Sequence, residues 1–309
     1  MHINISSRLQ NLRTLQQFLS VIALLTVSVS ATAKLNIGIT LHPYHSYVTN
    51  IVSDRANVMP LIEAGFNPHA YKLSPADLNR LKNMDAIVVN GIGHDEFAME
   101  AIRKLNLPNL TVIEANAAVP LISKQGGKVH NPHTFVAIDA TIRQVYTIAR
   151  ELGKLDPNNA KFFLKNALSY AKKLRTIKNK ALENISPLDI GLIRIASTHG
   201  AYGYLLQEFG MTVSAVVEPA HGVSPSASQL QDTINKIKSA NVQVLFTELN
   251  MPNQYVDVIE NETGTRIYHF SHMTYGEYRD ALVLEDMTHN LKTLVEALTY
   301  ASETLNNGL

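Results

Sequence analysis

Asn-Pro-His occurs twice in this chain, as Asn67-Pro68-His69 within GFNPHAYKLSP and as Asn131-Pro132-His133 within VHNPHTFVA. Proline fixes its own φ, so a histidine beside it sits on a short, stiff turn that holds the imidazole at a set angle. Two such turns can serve one ligand. The unusual figure in the composition is 12 histidines with no cysteine and no tryptophan. Four imidazoles converging from separate loops make a tetrahedral nitrogen site, which suits Zn²⁺ and is tolerated by Cu²⁺, Ni²⁺ or Co²⁺. Manganese, magnesium and calcium prefer oxygen donors, and an all-imidazole cage brings no negative charge to offset their dehydration.

The elements that must position such loops follow from hydrophobic periodicity. KLNIGITL, ANVMPLI, DAIVVNG and LTVIEAN read as strands, and the first leads through HPYHSYV into a helix. SPADLNRLKNM reads as a helix with Ser74 as N-cap, Pro75 at its first position and Leu78 and Leu81 on one face. From about 135 to 155 and again from 158 to 184 the chain is helical with no strand between, and the second stretch is long enough to bridge two lobes. Alternation then resumes: DIGLIRIAST, MTVSAVV, VQVLFTE and TRIYHF as strands, GAYGYLLQEF and SASQLQDTINKIKSA as helices, the latter with Leu230, Ile234 and Ile237 on one stripe. The amphipathic LEDMTHNLKTLVEALTYASETL closes the chain.

The expected fold is therefore α/β: two lobes, each a mostly parallel sheet flanked by helices, joined by one long bridging helix. The boundaries are 34–157 for the first lobe, 158–185 for the bridging helix and 186–309 for the second lobe, and the length left to each lobe suffices for a core of its own.

Residues 1–33 read as a signal peptide: Arg8 and Arg13 precede the apolar run from Phe18 to Ser30, and Ala31-Thr32-Ala33 is a small-x-small cleavage pattern. Removing them takes two of the 27 basic residues and none of the 26 acidic ones, so the mature chain is nearly neutral and carries no basic footprint for nucleic acid. The absence of cysteine excludes a lipid anchor on a modified Cys and a disulfide scaffold. A soluble, monomeric periplasmic protein is expected.

In parallel α/β sheets, ligands bind at the C-terminal ends of strands, and in two-lobed proteins between the lobes. By this rule His69, His133, His199 and His272 rank first, two from each lobe, although a lone histidine at a strand end is as a rule a surface or hydrogen-bonded residue. His42 and His45, in LHPYHSY, are either metal-gathering residues or polar residues capping a helix start. His94 lies in GIGHDEF beside Asp95 and Glu96, either of which could orient a ligand imidazole. His130 adjoins the second motif, in the one flexible patch, ISKQGGKVHN. His221 could rim the cleft, His269 should pack within a strand, His289 should be structural, and Tyr71 and Tyr204 should wall the site as apolar cover.

Taken in order, GFNPHAYKLSPADLNRLKNMDAIVVNGIG, NPHTF, STHGAYGYLLQEFGM, SPSASQL and DMTHNLKTLVEAL resemble the ZnuA-like periplasmic zinc-binding proteins of ABC importers over nearly the whole mature chain. The resemblance implies that His69, His133 and His199 are ligands. Asn131 stands where that family usually has a non-ligating Asp. His272, in FSHMTYG, stands where a ligating Asp is usual, so it is either a fourth nitrogen ligand or a spectator beside a water-filled position. Both this position and the third histidine differ from the manganese branch. The long His-rich loop of many zinc members is missing, since only PLISKQGGKVH fills that interval.

The function so implied is capture of Zn²⁺ and delivery to an inner-membrane ABC permease driven by a cytoplasmic ATPase, with no enzymatic activity. Alternatives are another divalent metal (Mn, Fe, Cu, Ni or Co) or a zinc-dependent hydrolase with three His and a water. The hydrolase would need a positioned general base, and no His-Glu-x-x-His signature occurs. A surface adhesin on the same fold is a third reading.

Overall fold

The computed structural model describes residues 33–63, 71–123, 130–218, 223–250 and 254–307. The signal peptide expected over 1–33 lies outside them but for its last residue, as do the first Asn-Pro-His turn and His221.

The first sheet contains β1 (Leu35–Ile39), β2 (Ala56–Pro60), β3 (Ala86–Val89) and β4 (Thr111–Glu114), all parallel, in the order β2-β1-β3-β4. The second contains β5 (Ile195–Ser197), β6 (Val213–Val216), β7 (Val244–Glu248) and β8 (Arg266–Phe270), also all parallel, in the order β6-β5-β7-β8. The two orders are the same, so the halves repeat one topology. In each sheet the strand order reverses beside its first strand, and loops there open a crevice at the C-terminal edge.

Helices cover both faces of the sheets, and the strand sequences show why. In β3, Ala86 and Val88 join the main core while Ile87 and Val89 join a smaller cluster with Leu61, Leu81 and Ala98. In β7, Val244 and Phe246 face the main core and Leu245 packs with Ile234 and Ile259. Side chains alternate across a strand, so apolar residues at every position require a helix layer on each side. The main cluster is continuous between the halves, holding Ile37 and Val88 of the first sheet with Ile195 and Phe246 of the second.

The first half carries α1 (His42–Val52), α2 (Pro75–Lys82) and α3 (Glu96–Leu105), followed by α4 (Ile138–Leu155) and the 26-residue α5 (Ala160–Ile185). The second carries α6 (Gly203–Gln207), α7 (Ala227–Ser239), α8 (Gln254–Thr263) and the 26-residue α9 (Leu282–Asn307). α5, about 39 Å long at the helical rise per residue, packs against α1 and α4 and also against α9. α2 begins as the sequence indicates, with Ser74 accepting from Asp77 N in a reciprocal capping box and Pro75 in the first turn. α7 is capped the same way by Ser226 and Gln229.

Three departures have local causes. β5 is only three residues long: the chain turns just before it, with Ile193 N donating to Ile190 O, Arg194 N is taken by the Gln243 side chain, and the pairing with β6 shifts register between Ile195 and Ala196. The helix expected over GAYGYLLQEF opens as a 3₁₀ turn at 200–202 and is helical only over α6. α3 and α8 escape the sequence reading: α8 is short and buries only Tyr255, Val256 and Ile259, whereas α3 carries a clear apolar stripe, Phe97, Ala98, Ala101, Ile102 and Leu105, packed in the smaller cluster of the first sheet.

Candidate metal centre

His133, His199 and His272 come together, with one nitrogen of each within 4.8 Å of the others. All three are buried, at 4%, 8% and 2% exposure. His133 comes from the first half, His199 from the end of β5 and His272 from the end of β8. Their ring centroids lie 4.5 Å apart for His133 and His199, 5.1 Å for His133 and His272, and 5.7 Å for His199 and His272. His69, the fourth residue of the expected set, lies outside the described residues.

The turn before His133 determines how that ring is presented. Asn131 Oδ1 accepts from the His133 backbone N–H at 3.1 Å and from His133 Nδ1 at 2.7 Å. A backbone amide can only donate, so the atom it meets is the carbonyl oxygen and Nδ1 must carry the proton. Nε2 is thereby left with its lone pair, the form a metal requires. The same turn is tied to the loop after β3, since Asn90 Nδ2 donates to Pro132 O at 3.0 Å and to Gly93 O at 2.8 Å. Gly93, at φ 127°, permits the approach: a Cβ there would come within 2.9 Å of Pro132 Cβ. Gln144 of α4 adds a bond from its Nε2 to Thr134 Oγ1.

His272 is mounted by other means. Ser271 exchanges two bonds with the Asn290 amide of α9, N–H to Oδ1 at 2.7 Å and Nδ2 to O at 2.9 Å, and its hydroxyl donates to Asp286. His272 Nδ1 pairs with Thr274 Oγ1 at 2.9 Å. Where the hydroxyl accepts, the proton sits on Nδ1 and Nε2 of this ring keeps its lone pair for a metal.

His133 Nε2 and His199 Nε2 lie 2.8 Å apart. Since His133 Nε2 has no proton, His199 Nε2–H is the donor, and a bound cation would take the place of that proton. Ligands about 2.0–2.1 Å from a tetrahedral ion stand about 3.3 Å from each other. Metal entry therefore requires the two rings to part by roughly half an ångström.

The remaining candidates sort differently. His94, buried and at φ 73°, has its ring centroid 4.4 Å from that of His133, but it is not within the group of mutually close ligand atoms. Asp95 does not orient an imidazole: its carboxylate accepts from Thr40 Oγ1, Asn90 N and Gly91 N, holding the loop after β3 onto β1. Burial pushes it up to about 6, against the pull of those donors. His130 pairs with Ser123 Oγ, and the two residues form an isolated antiparallel bridge.

His42 and His45 neither cap α1, whose N-cap is Leu41 with no side-chain bond, nor join the cluster. His42 Nε2 donates to Glu277 O, 3.1 Å away, and its ring stacks on Tyr278 at 4.2 Å, with His45 at 5.3 Å from the same ring. Burial lowers the pKa of His42 to about 4 and lowers that of His45 as well. These histidines are packing residues where α1 meets the segment before α9.

Three further expectations are corrected. His269 is exposed because β8 is an edge strand, and its carbonyl accepts from His289 Nε2. Tyr204 is more than apolar cover: its hydroxyl donates to Asn131 O and accepts from Ile122 N, both at 2.9 Å. Tyr71 gives its hydroxyl to Asp77 of α2. The sequence reading missed Asn90, Thr274, Ser271 and Asn290 as supports, and the one signal for them was their position just past strand ends or on a helix facing one.

Comparison with known proteins identifies the family. The family profile described as zinc-uptake complex component A, periplasmic, matches residues 37–297. The SBP FpvC from Pseudomonas aeruginosa, solved in complex with Mn²⁺ and also with Ni²⁺, is 52% identical, covers 86% of this chain and 98% of its own in the Mn²⁺ form, and superposes with a TM-score of 0.82. The manganese ABC transporter substrate-binding lipoprotein PsaA of Streptococcus pneumoniae is 23% identical over 88% of this chain and 92% of its own. The high-affinity zinc uptake system protein ZnuA of Bacillus subtilis is 23% identical over 75% and 76%. Among the described residues, no helix is long and apolar enough to cross a membrane. With a profile match over most of its length and a two-lobed fold shared with a half-identical relative, the chain belongs to the ZnuA family, the solute-binding proteins of metal ABC transporters.

Proposed function

We propose that this protein captures Zn²⁺ in the periplasm, through His133, His199 and His272 with His69 as the fourth ligand, and hands it to an ABC permease and its ATPase. The observation that carries the reading is the buried trio of imidazoles in which the Asn131 bond leaves the Nε2 lone pair of His133 to the site. Nitrogen donors with no carboxylate in the group favour zinc, copper, nickel or cobalt over manganese. A broader divalent-metal role is a second reading, favoured by the Mn²⁺ and Ni²⁺ complexes of the half-identical relative.

A hydrolytic role lacks support. The trio includes no carboxylate that could serve as general base, and the family is one of transport proteins. The chain reaches its compartment, in this reading, by cleavage of the signal peptide after Ala33. The long helix α5 acts as a strut between the lobes, so capture and release proceed by small shifts of the ligand loops rather than wide closure. Four neutral ligands leave the full charge of the ion unneutralised, which aids release.

Competition titrations of the purified protein with Zn²⁺, Ni²⁺ and Mn²⁺ against a chelator test the metal preference. Zinc and nickel should bind at least tenfold more tightly than manganese. Manganese binding as tight as zinc would contradict the nitrogen-site argument.

A further inference from the structure

We infer that Asn131 is a positioning residue that makes metal retention depend on contact between the two halves. One edge of its amide holds the imidazole of His133, and the other holds the backbone next to His199. The inference rests on the metal-binding reading above.

Asn131 is 8% exposed and every polar atom of its side chain is engaged. Oδ1 accepts from His133 N and Nδ1, while Nδ2 donates to Gly200 O at 2.8 Å. The amide is planar and rigid, so the atom that orients the first ring and the atom that grips the neighbour of the second cannot move independently. A shift of the His199 segment away from the first half must either break the bond to Gly200 or rotate Oδ1 off His133 Nδ1.

The main chain of Asn131 is held from the same direction. Its carbonyl accepts from Tyr204 Oη, which in turn accepts from Ile122 N. The backbone of Gly203 runs beneath the amide, where an added Cβ would stand 3.7 Å from Nδ2. Residues 200–204 thus close over the Asn131 turn from the second half. An aspartate at this position would still accept from His133, and more strongly, but it would oppose the Gly200 carbonyl with a second acceptor. That difference separates orienting one ligand from linking two lobes.

The test compares wild type with Asn131→Asp, Asn131→Ala and Tyr204→Phe. Two quantities are measured: the ¹⁵N shifts of the His133 ring in metal-free protein, which report its tautomer, and the rate of Zn²⁺ dissociation into excess chelator. Asn131→Asp should keep the Nδ1–H signature yet release zinc faster, by roughly tenfold, the low end for partners that orient metal ligands. Asn131→Ala should lose the signature and release faster still. Tyr204→Phe should keep the signature and release faster by a smaller factor.

Dissociation from Asn131→Asp at or below the wild-type rate would overturn the inference, because a residue that only orients His133 is improved by a carboxylate. Should that variant not fold, a wild-type rate in Tyr204→Phe overturns it instead. If wild type binds no zinc, the metal-binding reading fails, and the ring shifts of Asn131→Ala still decide whether the amide sets the His133 tautomer.

Discussion

His133 and His272 are carried to the same point by opposite strategies. The backbone that carries His272 is anchored in its own half: β8 delivers the residue, and Ser271 is pinned to Asn290 and Asp286 of α9, while α1 of the first half holds only the loop beyond it, at Glu277 O and Asp280 O. The His133 mount is shared, with Asn90 and Gln144 holding it from the first half and Gly200 and Tyr204 from the second. One ligand is a fixed post and the other sits where the halves meet. A site built this way can keep its donors ordered and still sense small movements between lobes, since the His133 turn is bonded directly to both halves.

The largest effect that sharpens this contrast is expected at Thr274. Thr274→Val removes the partner of His272 Nδ1 without touching the lobe contact, and should weaken zinc binding about 10–100-fold in chelator competition. Combined with Tyr204→Phe, its effect on binding free energy should be additive, because the two mounts share no partner. Strong coupling between them would break the distinction.

Asn290→Ala should act next, and on stability. It leaves the buried N–H and C=O of Ser271 without their partners, at a cost of about 1–3 kcal/mol in the denaturant unfolding free energy. A variant as stable as wild type would show that the post is not held by α9.

The smallest effect concerns acid. His42 stays neutral in the fold down to about 4, whereas in the unfolded chain it takes up a proton near 6.5. Below 6.5 the unfolded state binds the extra proton, so the contribution of neutral His42 is fully present above that pH and is lost as pH falls towards 4. Asp95, pushed up to about 6, and Glu208, pushed up to about 7, act in the opposite sense. The difference between wild type and His42→Gln isolates the histidine: the variant should lose less stability between pH 7 and pH 5, by at most about 2 kcal/mol. Parallel pH profiles would contradict the burial argument.

Much of the fold is legible because it rests on patterns local to each segment. Apolar runs marked all eight strands of the described residues, and Ser74-Pro75 marked the start of α2. α8, short and with few buried positions, left a weak pattern, whereas α3 carried a legible one in Phe97, Ala101, Ile102 and Leu105 that the sequence reading missed. At the site, the histidines at strand ends could be ranked from topology alone. Their supports could not: Asn290 and the outer edge of Asn131 act through partners 19 and 69 residues away that only the folded chain brings near, and Thr274, two residues from His272, belongs to no motif that marks it. His42 and His45 misled for the same reason: Tyr278, which covers them, is distant in sequence.

The most direct test of the central claim is the metal content of the chain purified without chelator and dialysed against zinc, measured by elemental analysis for wild type and His272→Ala. The account predicts one zinc per wild-type chain and a clear loss in the variant under the same dialysis. Zinc held equally by both would make His272 a bystander and contradict the site described here.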